Sequence, residues 1–155
     1  MNGLWIVPME ERHIAPLAAI ERACFHAPWS EEALREELGK GIFLVAEREG
    51  AAVGYIGCQT VLDEGYVTNV AVSPGWRRQG VGRALVRAFA SHAKARGLAF
   101  VTLEARVSNA PAIALYRGEG FVPVGIRRGF YTSPAEDAVL MTLFLKEHED
   151  GTEIR

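Results

Sequence analysis

Residues 72–86 read VSPGWRRQGVGRALV, and this stretch decides the fold. It places two arginines, a glutamine and two glycines between an apolar run and a helical pattern. Upstream, GYVTNVAV (65–72) is a strand by its β-branched content. Downstream, Val81, Leu85, Ala88, Phe89 and His92 line one face of a helix, with Arg83, Arg87 and Lys94 off that face. Arg96 followed by Gly97 closes it. A chain that leaves a strand and runs through Arg77, Arg78, Gln79, Gly80, Val81 and Gly82 into a helix is built to meet an anion. The first turn of a helix carries amides without internal partners and a partial positive charge. Glycines let a ligand approach the backbone, and arginines add paired donors to phosphate oxygens. A pyrophosphate suits such a site.

Other readings compete. The glycines can simply turn the chain, and the arginines can be a solvated face. A Walker loop is excluded, because no Gly-Lys-Ser/Thr follows. A dinucleotide fingerprint is the stronger rival, since Glu104 falls near the end of the next strand, where a ribose-binding acid sits in such folds. However, GVGRAL (80–85) has no third glycine, and the preceding strand belongs to an antiparallel-looking meander rather than a parallel β-α-β opening.

Outward from the loop, the N-terminal side begins with a short strand, LWIV (4–7), closed by Pro8. Ile14, Leu17, Ile20 and Cys24 then recur at helical spacing, with Pro16 bending that helix or delaying its start. Ser30 before Glu31 and Glu32 is a helix start that Gly39 and Gly41 end. IFLVAE (42–47) and AAVGYIGCQT (51–60) form a hairpin around REG. On the C-terminal side, LAFVTLEAR (98–106) alternates, with Ala99, Val101, Leu103 and Ala105 on one face and Phe100, Thr102, Glu104 and Arg106 on the other. SNAPAIALY (108–116) opens a helix with Asn109 as its cap and Pro111 in its first turn. Two closing strands, in GFVPVGIRRGFY (120–131) and AVLMTLFLK (138–146), are joined by TSPAED. The order β-α-α-β-β-β-α-β-α-β-β predicts one α/β domain over residues 1–146, a mixed and mostly antiparallel sheet flanked by helices. Residues 147–155 are polar and are expected to form a frayed tail.

Composition agrees with a globular chain: 155 residues, 49% hydrophobic and 23% charged. A net charge of -2 argues against broad nucleic-acid or anionic-membrane binding. The first residues lack a charged region followed by a long apolar stretch, so no signal peptide is expected. No apolar run approaches the ~20 residues that cross a bilayer. Together these point to the cytoplasm. Cys24 and Cys58 read as buried reduced thiols rather than a bridge or a nucleophile. His13, His26, His92 and His148 have no metal spacing with each other or with the cysteines, so no metal is assigned. His92 is expected to pack at its helix face.

Arg-x-x-Gly-x-Gly, here residues 77–82, after NVAVSP and before a helix, resembles the acetyl-coenzyme A loop of the GNAT acetyltransferases. The resemblance covers nearly the whole chain. It is nearest to the RimI-type ribosomal-protein alanine N-acetyltransferases, through ACFHAPWS (23–30), TNVAVSPGWRRQGVGRALV (68–86), LEARVSNAPAIALY (103–116), GFVPVGIRRGFY and EDAVLMTLFL (136–145). It implies a GNAT-type domain that uses acetyl-CoA. The backbone of Val70, Ala71 and Val72 would pair with the pantetheine arm. Arg78, Gln79, Gly80, Val81, Gly82 and Arg83 would wrap the pyrophosphate, and Asn109 matches the family's asparagine near the next helix start. Glu104 would be the base and Tyr116 the acid. Trp29, in the loop before the second helix, and Tyr131, near the final turn, would hold an extended peptide N-terminus. The implied partner is a protein N-terminus, that of a ribosomal protein, with no nucleic acid and no membrane.

The chemistry suits these residues. An α-amino group, with a pKa of about 8, must shed a proton before it can react with a thioester. A carboxylate at a strand end takes that proton directly or through water, and a phenol can give one to the departing thiolate. Blander roles compete: surface charge for Glu104, core packing for Tyr116, a helix cap for Asn109 and a core anchor for Trp29. The family often has helix between its tyrosine and the following GF strand, whereas YRGEGF (116–121) contains Gly118 and Gly120. An extra glycine is expected to weaken the helix end by ~1 kcal/mol relative to alanine, and so to loosen the hold on Tyr116. Acetylation of lysine side chains or small amines, and a non-catalytic acyl-CoA-binding module, remain open on the sequence.

Overall fold

The structure, a computed structural model, describes residues 3–146. Seven strands form one sheet in the order β1-β2-β3-β4-β5-β7-β6. The chain runs β1 (Leu4–Pro8), α1 (Ile14–Cys24), α2 (Glu31–Arg35), β2 (Ile42–Arg48), β3 (Ala51–Val61), β4 (Glu64–Val72), α3 (Val81–Ala95), β5 (Phe100–Arg106), α4 (Ala110–Gly118), β6 (Val122–Thr132) and β7 (Ala135–Phe144). This is the expected order. The β1–β2, β2–β3, β5–β7 and β6–β7 ladders are antiparallel, and β4–β5 is parallel. The predicted tail 147–155, with His148, lies outside the described residues.

Two compact units are distinguished, Met1–Gln59 with Val67–Phe89, and Thr60–Tyr66 with Ala90–Arg155. In the first, α1 lays Ile14, Leu17, Ala18 and Ile20 on Phe43, Val45, Tyr55 and Ala71 of the strands. Pro16 falls in the first turn of α1, where its missing N–H has no carbonyl to lose. A 3-10 turn, Glu11–His13, precedes it. His13 is buried, and its ring Nε2 meets Glu47 Oε2 at 2.5 Å while Nδ1 accepts from the Glu10 amide at 3.0 Å. The accepting role of Nδ1 leaves the proton on Nε2, so the ring donates to Glu47.

Ser30 caps α2, its hydroxyl accepting from the Ala33 amide at 3.0 Å. The helix is shorter than the sequence pattern suggested. Glu37 and Leu38 donate three residues back, to the Leu34 and Arg35 carbonyls, so the α-ladder gives way to turns before Gly39. Glu49 and Gly50, at φ 55 and 82, make the two-residue β2–β3 turn, whose twist requires positive φ at both positions.

In the second unit β5 alternates as predicted, burying Val101, Leu103 and Ala105 while Phe100, Thr102, Glu104 and Arg106 lie on the other face. The β6–β7 connection is tighter than TSPAED implied. Tyr131 pairs with Glu136 and Thr132 with Ala135, leaving only Ser133 and Pro134 to turn. The buried stripe of α3 also differs from expectation. It comprises Val81, Leu85, Val86, Phe89 and Ala93, and His92 is exposed. Val86 and Ala93 complete the apolar arc on the side away from His92, so the imidazole is not needed for packing.

Candidate active site

The anion-type loop belongs to the first unit. Ser73, at the end of β4, is tied to β3 by its amide, which donates to the Val53 carbonyl at 2.8 Å. A 3-10 turn, Pro74–Trp76, follows, and Arg48 lies over the Trp76 ring at 5.1 Å. Arg77, Arg78, Gln79 and Gly80 are exposed, and α3 begins at Val81 with the Ala84 amide donating to the Gly80 carbonyl at 3.0 Å. Arg78 has φ 65 and Gly80 φ 82. A side chain at Arg78 in this left-handed region costs ~1–2 kcal/mol. Such strain is a feature of loops whose backbone amides are arranged for a ligand. The residues expected to receive a pyrophosphate, 78–83, span this strained loop and the first turn of α3.

Arg77 does something the sequence did not suggest. Its Nε donates to the Val72 carbonyl at 3.2 Å and its Nη2 to Cys24 Sγ at 3.2 Å. The guanidinium therefore joins the last residue of β4 to the end of α1. Cys24 is half-buried and Cys58 buried, and no disulfide joins them.

The residues expected to act as base and acid, Glu104 and Tyr116, belong to the second unit. Glu104 projects from β5 with its side chain only 3% exposed. Tyr66, from the start of β4, donates its hydroxyl to Oε1, and Arg127, from β6, donates to Oε2 at 2.6 Å. Burial first, then the hydrogen bond to Glu104, pushes the Tyr66 phenol well above its usual range, which keeps it a donor. A carboxylate offers about four lone-pair directions, so two oxygens with one partner each still have room to accept a proton.

Sequence reasoning missed Tyr66 and Arg127. Tyr66 sits opposite Thr102 in the parallel β4–β5 register, one same-face step from Glu104. Arg127 reaches Glu104 from beyond β7, since Arg127 pairs with Ala138 and Glu104 with Leu140. Strand order and register create both partnerships, and no local pattern carries them.

Tyr116 is 8% exposed on α4. Burial pushes its phenol up to about 12, and Tyr131 adds to the rise. The phenol of Tyr131 is itself raised, by burial first and then by the Glu104 charge, so Tyr131 is electrostatically coupled to both residues. Gly120, after Tyr116, holds it rather than loosens it. Phe121 donates its amide to the Tyr116 carbonyl at 3.0 Å, Gly120 donates to Arg117 at 3.1 Å, and Gly120 has φ 102. This is a Schellman cap, in which the left-handed residue is best a glycine. The apolar contact that accompanies such caps is present, with the Tyr116 and Phe121 rings 5.8 Å apart.

Asn109 caps α4, its Oδ1 accepting from the Ala112 amide at 3.2 Å. Tyr131 is half-buried between Phe130, edge-on at 5.0 Å, and the Arg106 guanidinium, 4.2 Å from its ring. Arg106 also donates to the Pro134 carbonyl at 2.8 Å and the Ser133 carbonyl at 3.1 Å, which fixes the β6–β7 turn. In the first unit, Trp29 packs on the core with its ring 6.5 Å from that of Phe43. Among the described residues no group of three His, Cys, Asp or Glu side chains is arranged to hold a metal ion, and no helix is long and apolar enough to cross a membrane.

A glycine- and arginine-bearing loop feeding a helix after β4, beside a mixed sheet of this order, defines a class, and the sequence matches it directly. The acetyltransferase (GNAT) family matches residues 14–121, and the chain belongs to that family, whose members use acetyl-CoA. Within it, the chain is 39% identical over 127 residues to the ribosomal protein bS18-alanine N-acetyltransferase of Escherichia coli strain K12, covering 80% of this chain and 86% of that one. The crystal structure of the Escherichia coli ribosomal-protein-S18-alanine N-acetyltransferase superposes with a TM-score of 0.86 at 35% identity, covering 93% of this chain and 95% of that one. Ard1 from Thermoplasma volcanium superposes at 0.82 with 26% identity, covering 94% and 99%.

Proposed function

We propose that this acetyltransferase moves the acetyl group of acetyl-CoA onto the α-amino group of a protein N-terminus, its target being the N-terminal alanine of a small-subunit ribosomal protein in the cytoplasm. The observation that carries this reading is the likeness, along most of both chains, to enzymes named for that reaction. Bound acetyl-CoA supplies the acetyl group as an activated thioester.

The chain's residues divide the remaining work. The backbone of Val70, Ala71 and Val72 would pair with the pantetheine arm, and the amides of residues 78–83 would receive the pyrophosphate. Arg77 holds the end of β4 beside them. Glu104 takes the proton that the substrate ammonium must lose, directly or through one water. Tyr66 and Arg127 fix its carboxylate while it does so. Tyr116, fully protonated at neutral pH with its phenol at about 12, presents its proton to the departing sulfur. An amide of Val70 or Val72 faces the negative charge that develops on the acetyl oxygen, a contact worth ~2.7–4 kcal/mol in comparable sites. Overall, an ammonium and a thioester become an amide and a thiol; of the two protons the nitrogen loses, one leaves through Glu104 and the other restores the Tyr116 phenol that protonated the sulfur. Tyr131 and the loop anchored by Trp29 serve the acceptor peptide, and Asn109 sets the start of α4.

Release of the coenzyme A thiol from acetyl-CoA tests this across a panel of acceptors. The panel holds peptides with different free N-termini, the same peptides N-blocked but bearing lysine, and spermine. Preference for a free alanine N-terminus is expected. Activity confined to lysine or spermine would overturn the substrate while leaving the donor in place. Tight acetyl-CoA binding without release to any acceptor would overturn the catalytic reading altogether.

A further inference from the structure

Glu21 is a glutamate on the buried face of α1, 1% exposed, which the reaction above does not use. Burying a carboxylate is costly unless its oxygens are satisfied. Here three donors from three separate elements converge on it. Its Oε1 accepts from the Trp29 backbone amide at 2.8 Å, in the loop before α2. Its Oε2 accepts from the Tyr55 hydroxyl of β3 at 2.6 Å and from Asn69 Nδ2 of β4 at 3.0 Å. All three partners are neutral, so hydrogen bonds rather than an ion pair hold the charge. The Tyr55 phenol is raised far above its usual range, by burial first and then by the Glu21 charge, so it stays a donor.

The placement of these partners matters more than their number. Trp29 belongs to the loop that the proposed function gives to the acceptor peptide, and its ring is seated on Phe43. Asn69 is one residue ahead of the β4 segment that the same reading gives to acetyl-CoA. A single carboxylate therefore links the acceptor loop to the donor strand within one unit. We infer that Glu21 is a positioning residue that sets the acceptor loop, through Trp29, against β3 and β4. This rests on the proposed function for its consequence, and on the hydrogen bonds alone for its mechanics.

One detail makes the idea separable from a general loss of structure. Asn69 Oδ1 is buried and has no partner. In Glu21→Gln the oxygen keeps the Trp29 amide, and the new NH2 points at Tyr55 and Asn69. The Tyr55 oxygen can accept one of those protons. A half-turn of the Asn69 amide brings its unused Oδ1 round to accept the other. Glutamine thus preserves the linkage without the charge, whereas alanine abolishes it.

Peptide KM, acetyl-CoA KM and hydrogen exchange at the Trp29 amide are measured in the wild type, Glu21→Ala, Glu21→Gln and Tyr55→Phe, with an alanine-first peptide. Glu21→Ala is expected to raise the peptide KM roughly tenfold, equivalent to about 1.4 kcal/mol, with acetyl-CoA KM within about twofold. It also exposes the Trp29 amide to exchange. Glu21→Gln restores both. Tyr55→Phe removes one anchor and raises peptide KM about threefold, which keeps the test open if the alanine variant does not fold. Equal increases in both KM values, no increase in either, or a glutamine variant that behaves like alanine overturns the inference. A wild type that acetylates no peptide N-terminus defeats the substrate reading instead. In that case Trp29 exchange decides for Glu21, since protection that is the same in all variants refutes the linkage.

Discussion

Replacing Tyr116 with phenylalanine removes one oxygen from a side chain that is 8% exposed and leaves its ring against Phe121. The Schellman cap that orients the residue is made by backbone groups, with the Phe121 amide on the Tyr116 carbonyl at 3.0 Å. Neither the cap nor the ring contact depends on the hydroxyl. The cost to folding is therefore expected to stay below ~1 kcal/mol, the net worth of an ordinary hydrogen bond. The cost to turnover is expected to be far larger, because a positioned acid contributes about 10²–10⁴-fold, or roughly 2.7–5.4 kcal/mol at 1.36 kcal/mol per decade. The pH profile carries the sign. With the phenol raised to about 12, the active protonated form persists until pH approaches that value, so Tyr116 gives the wild type no falling limb between about pH 8 and 10. Single-turnover acetylation at saturating acetyl-CoA, run beside thermal melts and acetyl-CoA binding, separates these effects. The expected pattern is a loss of kcat of at least about a hundredfold, with unchanged binding and melting. A kcat within about threefold of wild type removes Tyr116 as the acid. An equal loss of acetyl-CoA affinity would show that the hydroxyl binds rather than reacts.

Three further perturbations test the site and the fold that carries it. Glu104→Gln should lower kcat by about 10²–10⁴-fold at neutral pH, with the deficit shrinking above pH ~8 as the acceptor amine deprotonates unaided; a deficit flat with pH would mark Glu104 as positioning only. Gly54→Ala would set a Cβ 2.8 Å from the Ala71 carbonyl oxygen and 3.3 Å from Val72 Cα, so β4 must shift where acetyl-CoA is proposed to pair. It should cost about 1–3 kcal/mol in urea unfolding and raise acetyl-CoA KM more than peptide KM; unchanged acetyl-CoA KM would dissociate β4 from the cofactor. Glu47 is held below the usual carboxylate range, chiefly by the hydrogen bond from His13 and then by Arg12. A depressed carboxylate stabilises the fold above its unfolded pKa of about 4.3 and loses that contribution as pH falls through the lower folded value. Urea titrations should thus show wild type and Glu47→Gln converging as pH falls below about 4.3, and a gap that persists in acid would remove Glu47 as its source.

What could be read from the sequence was whatever short-range geometry dictates. Helix and strand periods gave the element order, and Ser30 and Asn109 announced their caps, because each signal is local; the make-up of residues 77–82 suggested an anion site in the same way. Even the misreadings have local causes. His92 fitted a helical stripe that Val86 and Ala93 complete, and Gly120 looked like a weakness until its positive φ showed it to be the residue that ends α4. The partners of the charged groups were another matter. Tyr66 and Arg127 on Glu104, Tyr55 and Asn69 on Glu21, Arg77 on Cys24, and Arg106 on the β6–β7 turn join residues far apart in the chain. Those pairings depend on strand order, on register and on which face of the sheet each side chain leaves. By itself, then, the sequence determined the kind of fold, the family resemblance and the residue types that could act as base and acid. Only the tertiary structure decided how those groups are held, because a hydrogen bond requires its atoms within about 3 Å, and nothing but folding brings distant residues that close.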